Sequence, residues 1–212
     1  MAFKGFDPAV VTESINKVKT AYDNFITAIP YDVQAKFVNG MHDKWACKQA
    51  QDFFAIFKGE IDRIVESTNI TIESVVNSMN SGAKLWAATT ETTWSDISIS
   101  TSSFKLDVDG IQENINGVRG IDTEASSTAK TLLDSILSDA KKAISDLRTA
   151  VIECGFIDAT ESSNLQRSIA QISQAMDTIS TNLLEQCDNS IKLTVANYEE
   201  ASNRIASAYA GQ

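Results

Sequence analysis

The residues best placed to do chemistry cluster in the stretch MHDKWACKQAQDFF, residues 41–54. His42, the single histidine of the chain, stands beside Asp43 and five residues before Cys47. Together they offer a base, an acid and a thiol nucleophile. Nucleophilic catalysis also needs a group that orients the base and a turn of backbone amides for the oxyanion, and neither accompanies them. His42 therefore reads as a polar turn histidine. Cys47 near a helix N-terminus is a candidate reactive thiol if exposed, but is inert if an indole covers it. Cys47, Cys154 and Cys187 form no C-x-x-C pair, and an odd count suits neither a disulfide framework nor a zinc site. The carboxylates Asp52, Glu60, Asp62 and Glu66 alternate with apolar residues, as on the solvated face of a helix. No Glu-x-x-His pair of a di-iron bundle and no glycine-rich phosphate loop occurs. The expectation is a protein without enzymatic activity, metal or cofactor.

The elements around these residues are read from apolar spacing and from breakers. Asp7-Pro8 opens a first helix as acidic N-cap and proline at its first position. Val11, Ile15, Val18, Tyr22, Phe25 and Ile29 follow in steps of four and three, a stripe buried along one side. Pro30 is expected to stop this helix, with a connector to Lys44 that turns at Asn39-Gly40. A second helix is expected from about Trp45 to near Gly82 or just past Trp86. Across residues 89–103, ten of fifteen side chains carry hydroxyls. Ile97 and Ile99, then Phe104, Leu106 and Val108, alternate with polar residues. Period two with β-branched residues predicts a short hairpin or an extended strap, and a solvated Ser/Thr linker fits equally well. A third helix spans about Asp122 to Val151. A turn at Gly155 follows, with an Asp158–Glu161 capping box. The fourth helix carries Leu165, Ile169, Ile172, Met176, Ile179 and Leu183 in bundle-seam steps, continuing through Ile191, Val195, Tyr198 and Ile205.

The fold class expected is all-α. Two long helical hairpins, 1–88 and 122–212, joined by the Ser/Thr-rich connector 89–121, each expose an apolar face that the other can cover. The result is an antiparallel four-helix bundle within one chain, a pseudo-dimer by tandem duplication. It forms a monomer, or a homodimer if equivalent faces exchange partners. The formal charge of −10 opposes a nucleic-acid partner. No stretch has the length of apolar residues that spans a membrane, so no stable insertion is expected. The opening MAFKGFDPAVV lacks a signal peptide's basic start and apolar core.

Trp45, Cys47, Ala50 and Phe53 place an indole at a turn, with a small residue, an alanine and an aromatic two, five and eight positions later. An indole there covers the open end of a helix pair. A small residue two positions on lets the backbone approach the ring, and the next two residues begin a buried seam. This pattern resembles the WXG family of helical hairpins associated with type VII secretion, known as early secreted antigenic target-like proteins. The glycine of that family is Cys47 here. The tyrosine-then-acid export pattern of the family is absent, since Tyr198 is followed four residues later by Ser202. In the second half, Phe156 stands at the turn where a tryptophan would. The resemblance implies a bacterial protein secreted without a cleavable signal peptide, whose hairpins pair with each other, with a partner hairpin or with secretion machinery. A cytoplasmic location is the alternative.

Trp45 is read as a core cap, Trp86 as packed against a helix end, and Trp94 as either packed or a possible partner contact. Two other readings compete. A membrane-active helical toxin component would hide residues 94–108 as a tongue, although that stretch is polar and short for a spanning hairpin. A structural coiled-coil bundle suits the seam of the fourth helix.

Overall fold

The computed structural model describes residues 7–152 and 159–210, with side chains in the last helix from Ser163 onward. The turn expected at Gly155, with Cys154, Phe156 and the Asp158–Glu161 cap, falls outside the described residues. The chain is mainly all-α. Helix α1 runs Pro8–Ile26, a π-helical stretch Thr27–Val38, a single turn α2 Asn39–Met41, and strand β1 Trp45–Ala46. Helix α3 then spans Lys48–Thr89, strand β2 Gly120–Ile121, α4 Thr123–Ile152 and α5 Ala159–Ala210.

Local chemistry fixes several of these boundaries. The Asp7 carboxylate accepts the Ala9 amide at 2.9 Å and Pro8 fills the first turn. At α4, Asp122 Oδ1 accepts the amides of Glu124 and Ala125 at 2.9 and 3.1 Å, relieving two of the orphan donors at a helix start. Pro30 does not end the first helix as expected. The chain passes through it in π-helical form from Thr27 to Val38. An α-helical proline loses one hydrogen bond and drives its ring into the carbonyl four residues back. The wider π register, starting just after Ile26, opens room at that carbonyl. Asn39-Gly40 consequently lies inside helical backbone, and the chain turns at His42–Lys44 instead.

The second long helix begins at Lys48, three residues later than expected. Trp45 and Ala46 are extended and pair antiparallel with Ile121 and Gly120. The Asp122 amide closes the ribbon on the Lys44 carbonyl at 2.7 Å. Residues 92–108 pair into no hairpin. They form an extended strap held by side chains of α1 and α3. The hairpin lies further on, where Asn116 and Gly117 both take positive φ (53° and 85°) and Ile115 and Val118 exchange backbone hydrogen bonds of 2.8 and 2.9 Å.

Contacts group the chain into two units. The first comprises residues 1–29, 63–104 and 138–177, the second 30–62, 105–137 and 178–212. Each unit draws on the first segment, the connector and the last segment of the chain. In the first unit the α1 stripe from Val11 to Phe25 is buried, with Ile72, Val75 and Met79 of α3, Ile144 and Leu147 of α4, and Ile169 and Met176 of α5. The second unit is built on five rings, Phe37, Trp45, Phe53, Phe54 and Phe57, with neighbouring centroids 5.1–6.3 Å apart. Leu133 of α4 and Leu183 and Ile191 of α5 are buried in the same unit.

Candidate interaction site around Trp45

Extended backbone at β1 sends the Trp45 side chain into the second unit, where it has no solvent exposure. Its ring stacks on Phe53, with centroids 5.6 Å apart and planes 26° from parallel. Phe54 meets the ring edge-on at 5.9 Å. Offset stacking and edge contacts are the arrangements that ring quadrupoles favour. Ala50 is fully buried at the α3 position between Trp45 and Phe53 in sequence, and Cys47 is buried one residue before α3 begins.

A buried indole N–H needs an acceptor. Trp45 Nε1 donates to Thr194 Oγ1 of α5 at 3.3 Å, and that hydroxyl donates to the Ser190 carbonyl at 2.8 Å. Cys47 Sγ lies 3.7 Å from the same oxygen. Thr194 is thus the polar hub of the cluster, and sequence reading does not single it out. Its signal is positional. Thr194 lies three residues after Ile191 and four before Tyr198, so it occupies the seam, whereas the apolar Val195 beside it is half-buried.

The groups weighed for chemistry have separate partners. His42 Nδ1 is 2.8 Å from Asp43 Oδ1 in an exposed turn, whereas Cys47 faces Thr194. Burial, reinforced by the neighbouring Asp188 charge, pushes the Cys187 thiol up to about 12, so it stays protonated and unreactive. On α3, Asp52 is bridged by Lys48 at 2.9 Å, and Asp62 by Lys58 at 3.0 Å. Among the described residues no three His, Cys, Asp or Glu side chains converge as a metal site would require, and no helix is long and apolar enough to cross a membrane.

Beside the cluster, a groove of about 810 Å³ opens between the ribbon, the Ile115–Val118 hairpin and α5. Its apolar wall includes Ala46, Ile121, Val118 and Val195, and its charges are mixed: Lys44, Arg119, Asp122 and Glu199. The ring of Tyr198 lies against Gly120, where an added Cβ would come within 3.7 Å. Partial burial raises the Tyr198 phenol above its usual value; the nearby Cys47 adds to the shift and Arg119 opposes it. Trp94 stands elsewhere, in the first unit. It is half-buried and donates its indole N–H to Asn80 Oδ1 at 3.1 Å. Trp86 is half-buried near the end of α3.

Compared with known protein families, curated proteins and solved structures, the chain matches none.

Proposed function

We propose that this chain is a non-enzymatic helical-hairpin protein that acts by packing against other proteins, as a substrate or adaptor of a type VII-like secretion system. In this reading residues 1–88 and 122–212 are two hairpins joined by the connector 89–121 and closed on each other as an antiparallel four-helix bundle. In this reading the protein is exported from the cell. Its partners are secretion machinery or another helical hairpin.

One observation carries the reading. Trp45, Cys47, Ala50 and Phe53 are buried together, and Thr194 from the last segment of the chain supplies the acceptor for the indole. In this reading a tryptophan with small and aromatic residues in that spacing seals the end of a helix pair, and the burial of the indole against Phe53 supports it. Mixed charge and apolar wall in the adjacent groove suit a protein surface better than a small charged substrate.

The test is export. Immunoblots of culture supernatant should detect the protein when the membrane-bound secretion ATPase of the host is intact and lose it when that ATPase is disrupted. Confinement to the cell fraction in both strains rejects the reading.

A further inference from the structure

The strap is held in a way that differs from ordinary loop packing. In the first unit, Asn80 grips the backbone of Ile97 at both ends: Oδ1 accepts the Ile97 amide at 3.0 Å and Nδ2 donates to its carbonyl at 2.9 Å. Five residues along, Ser102 is gripped in the same way. Its amide donates to Tyr22 Oη at 2.7 Å, and its carbonyl accepts from Asn69 Nδ2 at 2.7 Å. Tyr22 Oη in turn donates to Asn69 Oδ1 at 2.7 Å, which locks the pair. Between and beside these clamps, Glu73 accepts the Thr101 hydroxyl at 2.7 Å and Lys84 pairs with Asp96 at 2.6 Å. Trp94 adds its indole N–H to Asn80.

The second unit repeats the device. Asp62 accepts the Leu106 amide at 3.0 Å and Lys58 donates to the Leu106 carbonyl. Gln34 clamps Asp107 in both directions, at 2.8 and 2.9 Å.

The α3 residues engaged are Lys58, Asp62, Asn69, Glu73, Asn80 and Lys84. Their steps of four and seven trace one face of a helix with an eleven-residue repeat. Eleven helical residues rise about 16 Å at roughly 1.5 Å each. Five extended residues cover about the same length at roughly 3.3 Å each. The clamps on Ile97 and Ser102, five strap residues apart, therefore match the eleven-residue step from Asn80 to Asn69, and the α3 clamp on Leu106 follows four residues further on. Polar side chains aimed at both backbone groups of one residue substitute for the missing strand partner, and they hold the main chain directly.

We propose that the Asn69–Asn80 face of α3, with Tyr22 of α1, is a binding site for extended polypeptide, and that the strap is its internal ligand. The ligand class is an extended, hydroxyl-rich segment with an indole three residues before a β-branched residue, as in Trp94-Ser95-Asp96-Ile97. A segment of another polypeptide with this chemistry takes the seat when the strap leaves. This site is independent of the Trp45 cluster and of the secretion reading.

The test uses the full chain carrying Trp94→Ala and Ile97→Pro, which removes the indole anchor and the clamped amide of the strap while leaving α3 untouched. A fluorescently labelled peptide of residues 92–104 should bind this chain at least tenfold more tightly than the unaltered chain, by anisotropy. Adding Asn80→Ala should weaken that binding at least tenfold with unchanged far-ultraviolet circular dichroism. Absence of binding to the helical, strap-altered chain overturns the proposal, as does binding indifferent to Asn80. Should the altered chain lose its helical signal, hydrogen exchange on the unaltered chain decides. Excess unlabelled peptide should speed exchange of the Ile97 and Ser102 amides, and no change overturns the proposal.

Discussion

Two buried side chains of the second unit depend on each other. Trp45 fills space among rings, and its N–H has a partner only because α5 places a threonine, not a valine, at position 194. Trp45→Ala should cost about 3–5 kcal/mol through lost burial and an unfilled cavity. Thr194→Val keeps the shape and strands the donor, costing about 1–3 kcal/mol. Thr194→Ser keeps the hydroxyl and should retain most of the stability. Urea denaturation of the three variants checks this order. The same helix carries the prediction for pH. Cys187 titrates at the model-compound value of 9.0 when unfolded and at about 12 when folded. Well below pH 9 the thiol is neutral in both states and contributes no pH dependence. Above it, the unfolded chain loses the proton first, so stability falls by about 1.4 kcal/mol per pH unit up to the folded value. Comparing denaturation at pH 8.5 and 10.5 should show a steeper loss for the unaltered chain than for Cys187→Ala. Trp45, Ala50 and Phe53 were legible in the sequence because size and spacing mark them. Thr194 was not, because a seam traced through apolar residues steps over a buried hydroxyl that satisfies itself on the preceding turn.

The helices themselves were legible wherever an apolar stripe kept its phase. The α1 residues Val11 to Phe25 and the α5 residues Leu165 to Leu183 are buried at the spacings that the sequence shows. Breakers misled more than stripes did. Pro30 is absorbed by a widened helix, and the hairpin signal lay in Asn116-Gly117 rather than in the alternating strap. An Asn-Gly pair supplies two positive-φ residues for a two-residue turn, whereas alternation alone cannot say whether the partner is a strand or a row of helix side chains. The seam also outruns its cover. Tyr198 and Ile205 continue the α5 stripe in sequence, yet every residue from Ala196 to Ala210 is exposed. Removing residues 201–210 should therefore shift the melting temperature by no more than about 2 °C, because little apolar area leaves the core. Calorimetry of the shortened chain checks this, and amides in that segment should exchange fastest within α5.

Segment boundaries in sequence and compact units in space answer different questions for this molecule. Composition marks off 1–88, 89–121 and 122–212, but each compact unit takes a share of all three. The long helices α3 and α5, of 42 and 52 residues, contribute to both. Such helices bury their stripes only against others of comparable length, and in the proposed bundle those others belong to the same chain. The proposal that two hairpins close on each other within one polypeptide is tested most directly by sedimentation equilibrium of the purified protein. It predicts a single species at the chain mass of 23.0 kDa across the concentration range. A species of twice that mass, dissociating only with loss of helical structure, contradicts it.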